Sequence, residues 1–133
     1  MVVGAALLLP VAVLLVLVVG RSEPNPAEHP AARTFVAWIA ANARGDHAAA
    51  LELVHPTRVS SYQDLNPDQA QPFFGSLRQV HAEGVEELEG GRTAVVTGTM
   101  LLNGEVLTFT ARLMRSGEDW RFDGYTYCCR PSE

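Results

Sequence analysis

The side chains that could carry proton-transfer chemistry in this sequence are few and scattered along the chain. They are His55, Tyr62, Asp64, His81, Asp123, Tyr125 and Tyr127. A general base must lie within hydrogen-bond reach of the proton that it takes, and its pKa must be tuned by its surroundings. Because no two of these residues have a diagnostic spacing, we assign no catalytic residue. The weak candidates are Asp123, Tyr125, Tyr62 and His55.

Asp123 and Tyr125 fall in the last predicted strand, where their equal parity places both on one face. Trp120 and Phe122 have the opposite parity. If these two aromatic residues point inward, a β-bulge near Gly124 is needed. The simpler expectation is a solvated Asp123 and a half-buried Tyr125.

His55 comes directly before Pro56 at a predicted helix end, where a histidine can interact with the terminal carbonyl groups. No set of His, Cys or carboxylate residues has the spacing of a metal site. The sequence contains neither a glycine-rich phosphate loop nor a nucleophile elbow. We therefore expect neither a metal nor a cofactor.

The two cysteines, Cys128 and Cys129, are adjacent at the end of the last predicted strand. Ordinary disulfides join Cα atoms about 4.4–6.8 Å apart, whereas neighbours in the chain lie about 3.8 Å apart. A vicinal disulfide is possible, but it is strained and easily reduced. Two ordinary thiols and an intermolecular bridge are the alternatives, and the sequence leaves all three open.

The net charge of −5 argues against nucleic acid as a partner. A phosphate-binding surface needs clustered basic side chains, and here the basic residues are all arginines, scattered along the chain. A local acidic cluster surrounds the first predicted strand and comprises Glu83, Glu86, Glu87 and Glu89. A solvated strand edge that deters pairing explains this cluster, and contact with a basic partner or a cation is the alternative.

Residues 1–20 differ from the rest because the run from Val2 to Val19 contains no charged or polar side chain. As a helix this run spans about 27 Å, close to the hydrocarbon thickness of a bilayer. A cleaved signal peptide has a shorter apolar run after a basic start, and neither feature is present. We predict an uncleaved transmembrane anchor over 1–20, with a cleaved signal or a buried core helix as alternatives.

Residues 21–30 form a proline-rich linker that is expected to hold a domain away from the membrane. Arg21 and Arg33 follow the apolar run, and basic residues alone favour a cytoplasmic domain. The run begins at Met1 itself, however, which suggests that a basic leader is missing. We therefore expect a single-pass cell-membrane protein with an extracytoplasmic domain over 31–129 and a tail over 130–133.

The first part of this domain has helical periodicity. The spacing of Phe35, Trp38 and Ile39 predicts a first helix from Ala31. Gly45 ends that helix, and Asp46 caps a second one over 47–54. A loop leads to a third helix from 66 to about 78, whose buried stripe is Ala70, Phe73, Phe74 and Leu77.

The second part has the alternation of strands, over 79–88, 93–102, 105–115 and 120–128. Asn103-Gly104 predicts a type I′ hairpin turn, and glycine-containing turns separate the other strands. Helices followed by strands predict an α+β fold. We expect three helices packed on a curved, antiparallel, four-stranded meander.

With these features the chain resembles the nuclear transport factor 2-like superfamily, the cone-shaped, cystatin-like α+β fold shared with SnoaL-like proteins. The matching residues are Phe35 and Trp38 in the first helix, Gly45-Asp46, and the final Trp120-Arg121-Phe122-Asp123-Gly124-Tyr125. The resemblance covers about 31–128. Single-span bacterial proteins with such a domain outside the membrane are similar too, and many have no known chemistry.

The resemblance implies a pocket inside the cone, and we expect its lining to be Phe35, Trp38, Phe73, Phe109 and Trp120. Fold alone does not give function. We favour a non-catalytic domain that binds a small apolar ligand or a partner protein, within an envelope complex or as a homodimer. The alternative is a small-pocket enzyme of the isomerase, cyclase or hydratase type, using an Asp, His or Tyr in the cone.

Overall fold

A computed structural model describes residues 25–128 as an α+β domain with one antiparallel sheet of four strands. The helices are α1 Pro30–Ala43, α2 His47–Glu52, α3 Val59–Tyr62 and α4 Pro67–Gly75. The strands are β1 Leu77–Leu88, β2 Thr93–Leu102, β3 Glu105–Ser116 and β4 Asp119–Cys128, in the order β1-β2-β3-β4. The predicted α+β class and the four-stranded antiparallel meander are confirmed.

The longer helices begin at polar residues that bind free backbone N–H groups. The side chains of His29, Asp46 and Asn66 accept hydrogen bonds of 3.0–3.1 Å at the starts of α1, α2 and α4. Such caps satisfy amides that have no partner inside the helix. The glycine after α1, Gly45, has a φ of +76°, which favours glycine and ends the helix.

The β2–β3 hairpin has the turn that its sequence predicts. Asn103 and Gly104 both have positive φ, at 51° and 85°, as a type I′ turn requires. The turn sets the register Leu102 opposite Glu105, and pairing continues without a break to Thr93 opposite Met114.

Several predicted boundaries are wrong, and within residues 25–128 four α-helices precede the sheet instead of the three that were predicted. The second predicted helix ends at Glu52 rather than at residue 54. The third predicted helix ends at Gly75 rather than near Arg78, and β1 begins at Leu77 rather than at residue 79. Leu77 pairs with Leu102 and is 6% exposed, so the sheet uses an apolar side chain that equally suits a helix stripe. Residues 56–62, predicted as a loop, form a 3₁₀ turn followed by α3, which places Val59 and Tyr62 against the core.

Helix α1 crosses the inner face of the sheet and contacts all four strands. Its Trp38 ring stacks on Phe122 of β4, with 3.9 Å between ring centroids. Because side chains alternate along a strand, every second residue of the sheet faces α1, and the residues between them point to the opposite side of the sheet. We call that side the outer face; at its centre it comprises Val95, Thr97, Thr110, Arg112, Gly124 and Thr126.

Several predictions concern residues outside the described range. The transmembrane anchor over 1–20, most of the linker and the tail over 130–133 all lie there. Residues 25–30 are described: Pro26–Glu28 form a 3₁₀ turn that contacts β1, and Pro30 starts α1. Within residues 25–128, no helix combines the length and the apolar character needed to cross a bilayer.

Candidate functional site

Side chains of β4 alternate between the two faces of the sheet, and this alternation is interrupted at Asp123. Arg112 of β3 lies opposite Gly124, and the next residue, Leu113, lies opposite Phe122, so Asp123 is an extra residue in β4. This is a β-bulge, and it lets Phe122 and Tyr125 both turn inward despite their different parity. The bulge considered near Gly124 is therefore present. Asp123 is not solvated, as the simpler expectation had it, because it is 9% exposed.

The edge of β4 is tied to the helical layer at the residue before the bulge. The His55 N–H donates to the Phe122 carbonyl at 2.8 Å, and the Phe122 N–H donates to the Leu53 carbonyl at 2.7 Å. These bonds form a short parallel bridge between Val54 and Phe122. The bridge fixes the start of the following turn and so brings Arg58 to the bulged carboxylate.

The Asp123 carboxylate lies between two arginines from different elements. Arg58 donates through Nε to Oδ1 at 2.8 Å, which is a charge-assisted hydrogen bond. Arg112 of β3 places its Nε 3.6 Å from Oδ2, which is an ion pair but not a hydrogen bond. The hydrogen bond and the charge of Asp123 raise the pKa of the Arg58 guanidinium. The buried acid is therefore neutralised, mainly by Arg58.

Tyr62 and Tyr125 lie beside the bulge, and their contacts there stabilise the fold. The Tyr62 hydroxyl donates to the Asp123 backbone carbonyl at 3.1 Å. The Tyr125 ring lies 5.7 Å from both Phe35 and Trp38. Burial raises the pKa of both phenols above the ordinary value for tyrosine. Both hydroxyls therefore stay protonated at neutral pH and are poor general bases.

His55 caps a helical turn at its start instead of contacting terminal carbonyls, so that prediction is wrong. Its Nδ1 contacts the Thr57 hydroxyl at 2.8 Å and accepts from the Thr57 N–H at 3.3 Å. The cause is Pro56, which opens a 3₁₀ turn directly after His55. Its Nδ1 thus already has two local partners.

The other polar candidates do not join this cluster. Asp64, His81 and Tyr127 are all exposed. Within residues 25–128, no group of three or more His, Cys, Asp and Glu side chains could hold a metal ion. The glutamates of the acidic cluster are exposed on β1 and the turn after it, at an edge of the sheet; Glu89 accepts from the Thr93 hydroxyl at 3.1 Å.

The five aromatic residues expected to line a pocket lie in or beside the core. Phe35, Trp38, Phe109 and Trp120 are at most 3% exposed. Phe35 packs on Phe109 at 4.9 Å, while Arg115 covers the Trp120 ring at 4.3 Å from its centroid. Phe73 is half-buried beside Tyr127. The residues that line the groove described next are different ones, and a ligand-lining role for these five stays a prediction.

The outer face carries a shallow groove of about 460 Å³ beside the bulge. Its lining is Val95, Thr110, Arg112, Asp123, Gly124, Tyr125 and Thr126. This volume lies within the range of about 300–1,000 Å³ that small-molecule sites occupy. Thr110 and Thr126 are direct neighbours across β3 and β4, and Val95 lies opposite Arg112. The groove therefore combines apolar surface with two threonine hydroxyl groups, one guanidinium and the largely buried carboxylate of Asp123.

A second depression, of about 420 Å³, lies at the start of the described residues, between Asn25–Pro30 and Val85. Its histidine, His29, already accepts from the Ala31 N–H through Nδ1 at 3.0 Å, and its Nε2 lies 3.6 Å from Glu87. Both ring nitrogens thus face partners within the fold, and we assign no site there.

Cys128 is the last described residue, and it is disulfide-bonded. Cys129 lies outside the described residues. The alternative of two ordinary thiols is therefore wrong for Cys128. Whether its bond is vicinal or intermolecular stays open, as it is in the sequence.

Neither arginine that completes the Asp123 cluster was among the residues predicted from the sequence. Arg58 and Arg112 are far apart in the chain and follow no motif. The one available signal was the bulge near Gly124: with β4 and β3 paired, it places Arg112 opposite Gly124, directly beside Asp123. Nothing in the sequence pointed to Arg58, because its position depends on the bridge between Val54 and Phe122.

Comparison with known proteins gives only distant structural likeness. No protein-family model matches the chain. No curated protein matches it either. A SEC-C motif containing protein from Rhodopseudomonas palustris is similar, with 16% identity and a TM-score of 0.49, over 65% of this chain and 70% of that one. An NTF2-like protein of unknown function from Cytophaga hutchinsonii is similar, with 8% identity and a TM-score of 0.45, over 81% of this chain and 94% of that one.

Proposed function

We propose that this chain is a non-catalytic binding domain, displayed outside a membrane by the apolar run Val2 to Val19, which takes a small and largely apolar ligand in the outer-face groove. The observation that carries the binding role is the open groove beside Asp123, on the side of the sheet away from the helices. The inner face is packed with aromatic rings at contact distance, such as Trp38 on Phe122.

The state of the acid–base candidates supports a role without catalysis. Asp123 is neutralised by Arg58, the Tyr62 hydroxyl donates to a backbone carbonyl, and the Nδ1 of His55 is held within its own turn. A general base needs a free, suitably tuned acceptor near its substrate. Asp123 and Tyr62 instead hold the edge of β4 against the helical layer, and the His55 ring caps the turn that follows it.

Ligand binding is tested with benzamide, a small neutral molecule with an apolar ring, titrated into the ¹⁵N-labelled full-length chain in lipid nanodiscs. Saturable shifts are expected for the amides of Thr110, Gly124 and Thr126, with a dissociation constant in the millimolar range. Thr110→Trp should abolish them, because its side chain fills the groove. The matched control is Val106→Trp, at an exposed position on the same face and strand but outside the groove. It should leave the shifts unchanged.

Two results would contradict the ligand site. One is a response of equal size in Thr110→Trp and in the unmodified chain. The other is a shift that spreads over the whole outer face and follows protein concentration, since this pattern indicates self-association or a protein partner instead of a ligand.

Display outside the membrane is tested with alkaline phosphatase, which needs disulfide bonds and is therefore active only where they form. Fusion after Glu133 is expected to give an active enzyme in cells. A parallel fusion to β-galactosidase, which is active only in the cytoplasm, should be inactive. The reverse pair of activities would place the domain in the cytoplasm, as the positions of Arg21 and Arg33 alone suggest.

A further inference from the structure

We infer that the ligand of the outer-face groove carries a single carboxylate and that Arg112 receives it. This inference rests on the proposed function, because it names the chemical class of ligand for the same groove. The observation behind it is that Arg58 and Arg112 contact Asp123 in different ways.

Arg58 and Arg112 engage Asp123 unequally. The Arg58 Nε donates to Oδ1 at 2.8 Å, whereas the Arg112 Nε lies 3.6 Å from Oδ2, beyond hydrogen-bond distance. Arg58 lies outside the groove, and Arg112 is part of its lining. Asp123 is thus held by the arginine outside the groove, and the arginine inside the groove is only loosely paired.

Charge and geometry make Arg112 a receptor for an anion. The cluster of Arg58, Arg112 and Asp123 carries a net charge of +1. Among residues 25–128, Asp123 is the one acidic residue that lines the groove. The Arg112 side chain is 52% exposed, and within residues 25–128 it donates no hydrogen bond. A guanidinium with free N–H groups binds a planar carboxylate through two parallel hydrogen bonds.

The remaining lining favours a carboxylate on an apolar body over inorganic phosphate. A residual charge of +1 neutralises a monoanion completely but leaves one charge of a dianion unpaired beside Asp123. Inorganic phosphate also lacks an apolar body that could contact the rest of the lining. Val95 lies across from Arg112 and offers an apolar surface to the body of the ligand. The hydroxyl groups of Thr110 and Thr126 are hydrogen-bond donors on the neighbouring rung of the sheet.

The test compares benzoate with benzamide, which differ only in replacing a carboxylate oxygen by an amide nitrogen. Both are titrated into the ¹⁵N-labelled full-length chain in nanodiscs at pH 7, and the shifts of the groove amides and of the arginine Nε–H groups are measured. Benzoate is expected to bind at least tenfold more tightly than benzamide and to shift the Arg112 Nε–H resonance. Inorganic phosphate is expected to cause no saturable shift of the groove amides.

Substitutions distinguish a specific contact with Arg112 from a general effect of positive charge on the protein. Arg112→Met is expected to reduce the ratio of benzamide to benzoate dissociation constants to about one, and Arg112→Lys to about three, because lysine keeps the charge but not the planar pair of donors. The matched control is Arg121→Met, since Arg121 lies on β4 and pairs with Asp119 instead of Asp123. That variant should keep the full ratio.

Arg58 acts through Asp123 and is a positioning residue. In Arg58→Met, Asp123 loses its hydrogen-bonded arginine and should draw Arg112 into a hydrogen bond, which lowers the ratio of benzamide to benzoate dissociation constants at least threefold. Arg58→Lys should keep most of the ratio. Loss of the ratio in both variants would show that Arg58 only supports the fold, and this would overturn the division of contacts.

The possible failures can be told apart. Equal binding of benzoate and benzamide at the groove overturns the carboxylate inference and leaves the proposed function in place. The inference is also overturned if Arg112→Met keeps the full ratio of benzamide to benzoate dissociation constants. It is likewise overturned if phosphate binds as tightly as benzoate. Failure of both aromatic probes to shift the groove amides rejects the proposed function itself.

Discussion

Replacing Trp38 with alanine is expected to lower the free energy of unfolding by about 3–5 kcal/mol, the usual cost of removing a large buried aromatic side chain. Trp38 is 2% exposed and stacks on Phe122 at 3.9 Å, with Phe74 edge-on at 5.1 Å. Its ring joins α1, α4 and β4, so the cavity would open where the helices meet the edge of the sheet. Most domains are only about 5–15 kcal/mol stable, and this loss is a large part of that margin.

Urea denaturation followed by the fluorescence of Trp120, the other tryptophan, measures the effect. The matched control is Val36→Ala, on the same helix but 41% exposed, which should change the free energy by no more than about 0.5 kcal/mol. Similar effects of the two substitutions would mean that α1 does not pack on the sheet through Trp38.

Gly98→Ala is expected to destabilise the domain by about 3 kcal/mol, at the upper end of the usual cost of overpacking. A Cβ atom at Gly98 would lie 2.0 Å from the His81 carbonyl oxygen and 2.9 Å from Cζ of Phe109. Backbone oxygen cannot rotate away as a flexible side chain can. Strand β1 would therefore have to move away from β2, at the point where its register is already irregular.

Thermal unfolding checks this expectation, because each kcal/mol shifts the midpoint of a domain of this size by roughly 4–8 °C. Gly124→Ala is the control, since a Cβ there would approach only the Tyr62 hydroxyl, at 3.7 Å. It should leave the midpoint unchanged or raise it slightly, because alanine restricts the unfolded chain. A loss in Gly124→Ala as large as in Gly98→Ala would show that general glycine effects, and not the close approach, dominate.

Both substitutions act on the support of the groove more than on the groove itself. The groove lies on β2, β3 and β4, and the bulge at Asp123 is held in place by the bridge to Val54. A site on paired strands keeps its geometry better than one on a loop. We therefore expect Trp38→Ala and Gly98→Ala to keep their ligand affinity as long as β3 and β4 stay paired.

Much of the fold could be predicted because its signals are local. Asn103-Gly104 specifies its own turn through positive φ, and Asp46 and Asn66 specify helix starts through a single hydrogen bond each. The exceptions are positions where two structures use the same side chain equally well. Leu77 fits a helix stripe and a strand, and pairing with Leu102 decided for the strand.

The candidate site was less predictable because its contacts are not local in the chain. The residue pattern alone places Asp123 and Tyr125 in the last strand, and it requires a bulge near Gly124 if Trp120 and Phe122 turn inward. The folded chain was needed to show that the bulge forms, that the Asp123 carboxylate is buried, and that Arg58 and Arg112 neutralise it. Turns and caps depend on neighbours in the chain, whereas an ion pair between residues 65 positions apart depends on the packing that brings them together.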